Sequence, residues 1–254
     1  MDLQKKILGE LKKNKDEKIA AYNKKVVNTT KNEIIGVRMS VIQEMAERYK
    51  GKCEQILNLP YSTYEELMLK GLVVAKAEGT IDEKKPYILQ FLELVDNWAV
   101  VDSFCSAFVY NESQRSYFIA LCKELAFSEK EYISRAGIVL LFTKLHDKVA
   151  INMAYKLYDR LTYGQHYKDT AVAWGMAVYS YYDESRSLEY FINTDIPIGV
   201  KLKAAHKVRE SSRLSDDYKA KVTFLVNYER AWRAKRKKEQ EGKEEDRDAI
   251  SAKI

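Results

Sequence analysis

Four side chains in this sequence have types and settings suited to chemistry. Trp98 and Asp102, in the run DNWAVVDSFCSAF, are spaced i, i+4, so on a helix they share one face a turn apart. Asp102 is an acid in an otherwise apolar run, and a buried carboxylate is costly unless paired or hydrogen-bonded. Its plain structural use would be to cap a helix continuing through Phe104. Arg135 is the only charge between Glu131 and Lys144, in YISRAGIVLLFTK. An internal ion pair, or a stem lying along apolar surface, would account for it without function. Trp174 lies in AVAWGMAVY between Ala173 and Gly175, whose small size leaves a flat ring open to whatever approaches. A plain core tryptophan is its ordinary alternative. A carboxylate can stabilise a developing positive charge and orient water, and indole faces add cation–π stabilisation.

These four residues fall on three separate helices. The chain has only 3 Pro and 10 Gly, long stretches lack both, and strand-type alternation is scarce, so the fold class is all-α. The pattern predicts one or two helices over 2–26 and a loop from Val27 to Gly36. Helices follow over 38–50, 63–78, 82–95, 99–110 and 112–126. Ser62 or Thr63 caps the helix from 63, with Glu65 or Glu66 near the capping-box position. Ser128 with Glu131 reads as a second capping box, opening the helix that carries Arg135. Residues 148–162 have one apolar face, in Ile151, Ala154, Tyr155, Tyr158 and Leu161. Residues 168–182 are apolar nearly all round and must be buried on most sides. Helices over 184–193 and 198–212 come next, and a last basic helix starts near Ser215.

Starts near 128, 166 and 198 are separated by roughly one helical-hairpin repeat. Such hairpins cannot bury their own faces, so they stack into a curved HEAT-like α-solenoid with a concave surface. In that arrangement the inner ends of the helices bearing Trp98, Asp102, Arg135 and Trp174 can converge. One continuous domain is expected over 1–238, with a charged, disordered tail over 239–254.

Composition narrows the function. About 46% of residues are hydrophobic and 31% charged, enough for a substantial core. No stretch approaches the roughly 20 apolar residues of a membrane span, and the N-terminus is too charged for a secretory signal, so the protein is expected in the cytoplasm. Cys53, Cys105 and Cys122 match no metal or redox spacing and read as buried thiols. His146, His166 and His206 form no HExxH pair, and no glycine-rich phosphate cradle occurs; no metal or cofactor is expected. The net charge is +6. Basic residues crowd the C-terminal third, Lys203, Lys207 and Arg209 among them, and the N-terminal segment is also lysine-rich. Basic ends with a more neutral middle suit a clamp on a polyanion, although a charge run is usually a solvated face.

Over roughly residues 34–225 the sequence resembles the AlkD-like DNA alkylation repair family of HEAT-repeat glycosylases. The resemblance rests on IIGVRMSVIQEMA, LPYSTYEELM, DNWAVVDSFC, EYISRAGIVLLF, and AVAWGMAVY followed by GVKLKAAHKVRESSR. The W-x-x-x-D pattern and the helix-borne arginine and second tryptophan, in this order, are its specific parts. The resemblance implies a glycosylase that binds double-stranded DNA with alkylated bases and excises cationic N3- and N7-alkylpurines, acting as a monomer without a cofactor. It makes Asp102 catalytic, places Trp98 and Trp174 against the lesion sugar, and puts Arg135 on the phosphate near the lesion. Lys203, Lys207 and Arg209 are further candidates for phosphate contacts. Two other readings remain open from the sequence: a DNA-binding HEAT protein without base excision, and a protein-scaffolding solenoid.

Overall fold

A computed structural model describes residues 3–27 and 29–251, with side chains as far as Arg236. Fourteen α-helices are found among the described residues, with two 3-10 turns, two isolated β-bridges and no strand. No helix among the described residues is long and apolar enough to cross a membrane. The chain divides into two compact units. The first comprises Met1–Leu145 with Gln165–Lys168, and the second His146–Gly164 with Asp169–Ile254.

The first unit begins with α1 (Leu3–Lys13), α2 (Glu17–Val26), α3 (Met39–Tyr49) and the short α4 (Cys53–Leu57). It continues through α5 (Tyr64–Lys76), α6 (Ile81–Leu94), α7 (Trp98–Ala107), α8 (Arg115–Ala126) and α9 (Glu131–Lys144). Packing runs in two layers. Helices α3, α5, α7 and α9 lie against one another in succession, while α4, α6 and α8 form the second row. Thr63 and Glu66 make a reciprocal capping box at the start of α5. The box expected at Ser128 and Glu131 does not form. The helix starts only at Glu131, with Lys130 at its cap making no side-chain bond; Ser128 Oγ accepts from the Lys130 N–H at 3.2 Å, and the Glu131 carboxylate accepts from the Tyr167 backbone N–H. The five-residue α4 is absent from the sequence expectation.

The linker between α2 and α3 is fixed by one glycine and one buried acid. Gly36 has φ +80°, and a Cβ there would stand 2.2 Å from the Asp16 carbonyl oxygen. The Glu65 carboxylate accepts from the Gly36 and Ile35 N–H groups at 2.8 and 3.2 Å, and burial pushes its pKa up. Lysine side chains, one buried and one half-buried, close other helix ends. Lys70 Nζ donates to the carbonyls of Ile56 and Leu57 at 3.0 and 2.7 Å, and also to that of Leu59, at the C-terminus of α4. Burial lowers its pKa to about 8. Lys144 likewise donates to Ser106 O in the last turn of α7. Cation and helix dipole attract, and orphan carbonyls gain a partner.

The second unit contains α10 (Lys148–Tyr158), most of α11 (His166–Tyr182), α12 (Glu184–Asn193), α13 (Ile198–Glu210) and α14 (Asp216–Ser251). Its core is aromatic: Tyr155 stacks on Tyr190 at 4.0 Å and meets Tyr179 edge-on. Helix α11 is buried on most sides, as its composition requires. Buried Lys201 bonds the Phe191 carbonyl and pairs with Glu229 at 2.8 Å, tying α13 to α12 and α14. The tail expected over 239–254 falls on residues whose side chains lie outside the described ones.

Candidate functional site

Helix α7 carries the first pair of residues. Asn97 caps it, its side chain accepting from Val100 N–H at 3.0 Å, so Asp102 sits in the helix body and not at the cap. Asn97 also donates to Asp96 Oδ1 at 2.8 Å. The other Asp96 oxygen accepts from Lys31 N–H and Thr30 Oγ1 at 2.7 and 3.1 Å, pinning the loop after α2 beside the start of α7. Trp98 is the first residue of α7 and Asp102 follows one turn later, both half-buried. Their i, i+4 spacing puts them on one face of the helix.

Arg135 comes to Asp102 from α9. Nε donates to Oδ1 and Nη2 to Oδ2, both at 2.8 Å, in a bidentate ion pair. Nη1 donates to the Tyr167 carbonyl at 2.7 Å. The arginine side chain is 5% exposed and the aspartate side chain 16%. Three of the five guanidinium N–H donors are thus engaged internally. Sequence reasoning offers Arg135 as a phosphate contact; in the fold its guanidinium turns inward as the counterion of Asp102.

Close packing of α9 on α8 sets this aim. A Cβ on Gly137 would stand 2.4 Å from Ala126 N, so only glycine admits the approach. Ser134 Oγ donates to Ala126 O at 2.6 Å and locks it. Tyr132, one turn before Arg135, lies 5.4 Å from the Tyr167 ring, and its hydroxyl is 3.4 Å from Thr29 Oγ1. Burial raises the pKa of Tyr132. Sequence reasoning did not single out Tyr132 or Tyr167; nothing in their spacing marks them. Cys105 lies one turn from Asp102, fully buried, and burial pushes its thiol pKa well up, which removes it as a thiolate nucleophile.

The other candidate residues belong to the second unit. Trp174 is half-buried on α11, with Lys207 Nζ 5.8 Å from its ring. The two line a cleft of about 290 Å³ with Tyr181, Tyr182, Glu210 and Arg213. The Arg213 guanidinium lies 5.1 Å over the Tyr181 ring. Lys203 and Lys207 are one turn apart and share a face of α13, whereas Arg209, two residues beyond Lys207, is exposed on a different side. Of the remaining C-terminal cations, Lys201 is buried and structural, and Arg233 is held by Glu229.

Among the described residues no three His, Cys, Asp or Glu side chains come together as metal ligands. The arrangement on α7 and α9 is a carboxylate fixed in one orientation through both oxygens, reachable from solvent, with an indole one turn away. Such a group can stabilise a cation or orient water.

A family model described as DNA alkylation repair enzyme matches residues 7–215 of the chain. No curated protein and no solved structure matches it.

Proposed function

The chain belongs to the DNA alkylation repair enzyme family, and from that premise we propose that it is a DNA glycosylase that removes cationic N3- and N7-alkylated purines from duplex DNA. The observation that carries this reading is the Asp102 carboxylate, held bidentately by Arg135 with Trp98 one turn away. In an N-alkylated purine nucleotide the base already bears positive charge. The C1′–N bond breaks with its electron pair going to the base, which departs neutral and needs no general acid. The sugar is left as an oxocarbenium ion. Asp102 stabilises that cation electrostatically and orients the water that adds at C1′, and the water's proton passes to solvent. The Trp98 indole, one turn from Asp102, adds cation–π attraction, and the family resemblance gives Trp174 the same role.

Arg135 acts in this scheme as a positioning residue. It fixes both carboxylate oxygens, and its two remaining N–H donors are the ones left for a phosphate. Lys203 and Lys207, sharing a face of α13, supply further phosphate contacts. The successive packing of α3, α5, α7 and α9 over α4, α6 and α8 supports a HEAT-like solenoid as the scaffold.

The test is incubation of the full chain with a duplex containing 7-methylguanine, with abasic sites revealed by alkaline strand scission. Scission at the lesion is the expected result. Duplex binding without scission would leave a non-catalytic DNA-binding protein. Absence of both would leave the scaffold reading.

A further inference from the structure

Helix α14 lies outside the residues matched by the family model and presents a surface that the proposed reaction does not use. Its inner face is anchored. Tyr218, Val222 and Val226 are buried at i, i+4 and i+8, the Tyr218 hydroxyl donates to Ser180 Oγ at 2.8 Å, and Glu229 takes the buried Lys201 ammonium. With that face fixed, Phe224, Tyr228 and Trp232 form a ladder at the same i, i+4, i+8 spacing on another side of the helix. They are 70%, 64% and 48% exposed. Phe224 and Tyr228 stack at 6.2 Å between centroids, and the Arg236 guanidinium lies 4.9 Å over the Trp232 ring. Three large rings in a row, held open to solvent by a rigid support, mark a binding surface.

Charge selects the occupant. From Tyr218 to Lys238 the sequence has eight basic residues and a single acid, Glu229, which is spent on Lys201 and Arg233. Cations bracket the ladder on its own side: Lys221, paired at the surface with Asp217, stands one turn before Phe224, and Arg236 one turn after Trp232. A second copy of the helix would set these cations against their like. Duplex DNA would meet the cations but hides its base faces. A strand with unstacked bases offers flat rings to the ladder and phosphates to Lys221 and Arg236, and such pairing is tolerant of sequence. The geometry points to α14 as a holding site for single-stranded nucleic acid, built from Phe224, Tyr228 and Trp232 with flanking cations. This goes beyond the glycosylase reading and does not depend on Asp102.

The experiment is fluorescence anisotropy of a labelled short oligothymidylate with the full chain, beside Phe224→Ala, Tyr228→Ala, Trp232→Ala and the triple variant. All three positions are exposed, so the melting temperature should hold. Each single variant should weaken binding by about tenfold, and the triple by more than any single one. Base release from a methylated duplex should be unchanged in the triple variant, which separates this result from the glycosylase reading. Oligothymidylate affinity equal to wild type in the triple variant overturns the proposal, as does failure of the wild-type chain to bind the oligonucleotide. It is overturned too if the variants leave oligonucleotide affinity intact and instead lose binding to phosphatidylserine vesicles or shift the sedimenting mass.

Discussion

Replacing Asp102 by asparagine tests the ion pair at the centre of the site. The Arg135 side chain is 5% exposed, and two of its three engaged N–H donors end on this carboxylate. Asparagine keeps the size and one acceptor oxygen but leaves a guanidinium charge uncompensated in the interior. Breaking a buried pair in this way costs about 3–5 kcal/mol, and the retained acceptor puts the expected loss near the lower end. For a chain of this length about 3 kcal/mol corresponds to roughly 6–12 °C in melting temperature. Arg135→Met should be destabilising as well, since it strips a partner from both Asp102 and the Tyr167 carbonyl. In the double variant Asp102→Leu/Arg135→Met only the carbonyl is left wanting, a cost of about 1–3 kcal/mol. The double variant should therefore melt higher than the sum of single losses requires. Urea unfolding of wild type, Asp102→Leu, Arg135→Met and the double variant, followed by circular dichroism, gives the coupling directly. A coupling of about 2 kcal/mol or more is expected. Additivity within about 0.5 kcal/mol, the behaviour of exposed pairs, would refute the buried bidentate geometry.

Three further outcomes follow from the same structure. Trp98→Ala and Trp174→Ala should lower base release more than stability, because both rings are only half-buried; melting losses of about 3–5 kcal/mol with little change in rate would return them to the core. Lys207→Gln should flatten the dependence of log affinity on log salt for a plain duplex by about 0.9, and Arg209→Gln on a different side of α13 should not; equal slopes for wild type and Lys207→Gln would remove that contact. Burial raises the pKa of Tyr218 to about 12 and lowers that of Lys70 to about 8, against unfolded values of about 10 for Tyr and 10.4 for Lys. Lys70 then binds fewer protons in the fold than unfolded and adds stability as pH rises from about 8 toward 10. The buried tyrosines bind more, and their contribution is lost as pH rises above about 10. Absorbance at 295 nm should therefore rise in two parts, the exposed tyrosines first and the buried ones only with loss of ellipticity, and complete tyrosine ionisation in a still-folded chain near pH 10 would contradict this.

Much of the site was legible because helical spacing carries it. The i, i+4 relation of Trp98 to Asp102 survives folding intact, and the lone charge of Arg135 in an apolar run marked it as a residue needing a reason. That its partner is Asp102 could not be read, because the two are 33 positions apart and periodicity fixes faces within helices, not contacts between them. The same limit hid Lys70 and Lys144, which look like surface lysines until neighbouring helix ends are brought to them. At Ser128 and Glu131 the local signal placed the helix start too early: the helix opens at Glu131 itself, and its carboxylate accepts from the Tyr167 N–H. Helix α14 read only as basic. Its aromatic ladder keeps helical spacing, but exposure is decided by which face the core takes, and Tyr218, Val222 and Val226 claimed that face.

In the proposed reaction the Asp102 carboxylate drives departure of a cationic purine. Single-turnover release of free 7-methylguanine from a methylated duplex should be measured for the full chain and for Asp102→Asn, at a temperature where both remain folded and at enzyme concentrations that saturate the DNA. The wild type should release the base, and the asparagine variant should do so about 100- to 1000-fold more slowly, the effect of removing one preorganised electrostatic group. No release by the wild type, or equal rates for the two proteins, would contradict it.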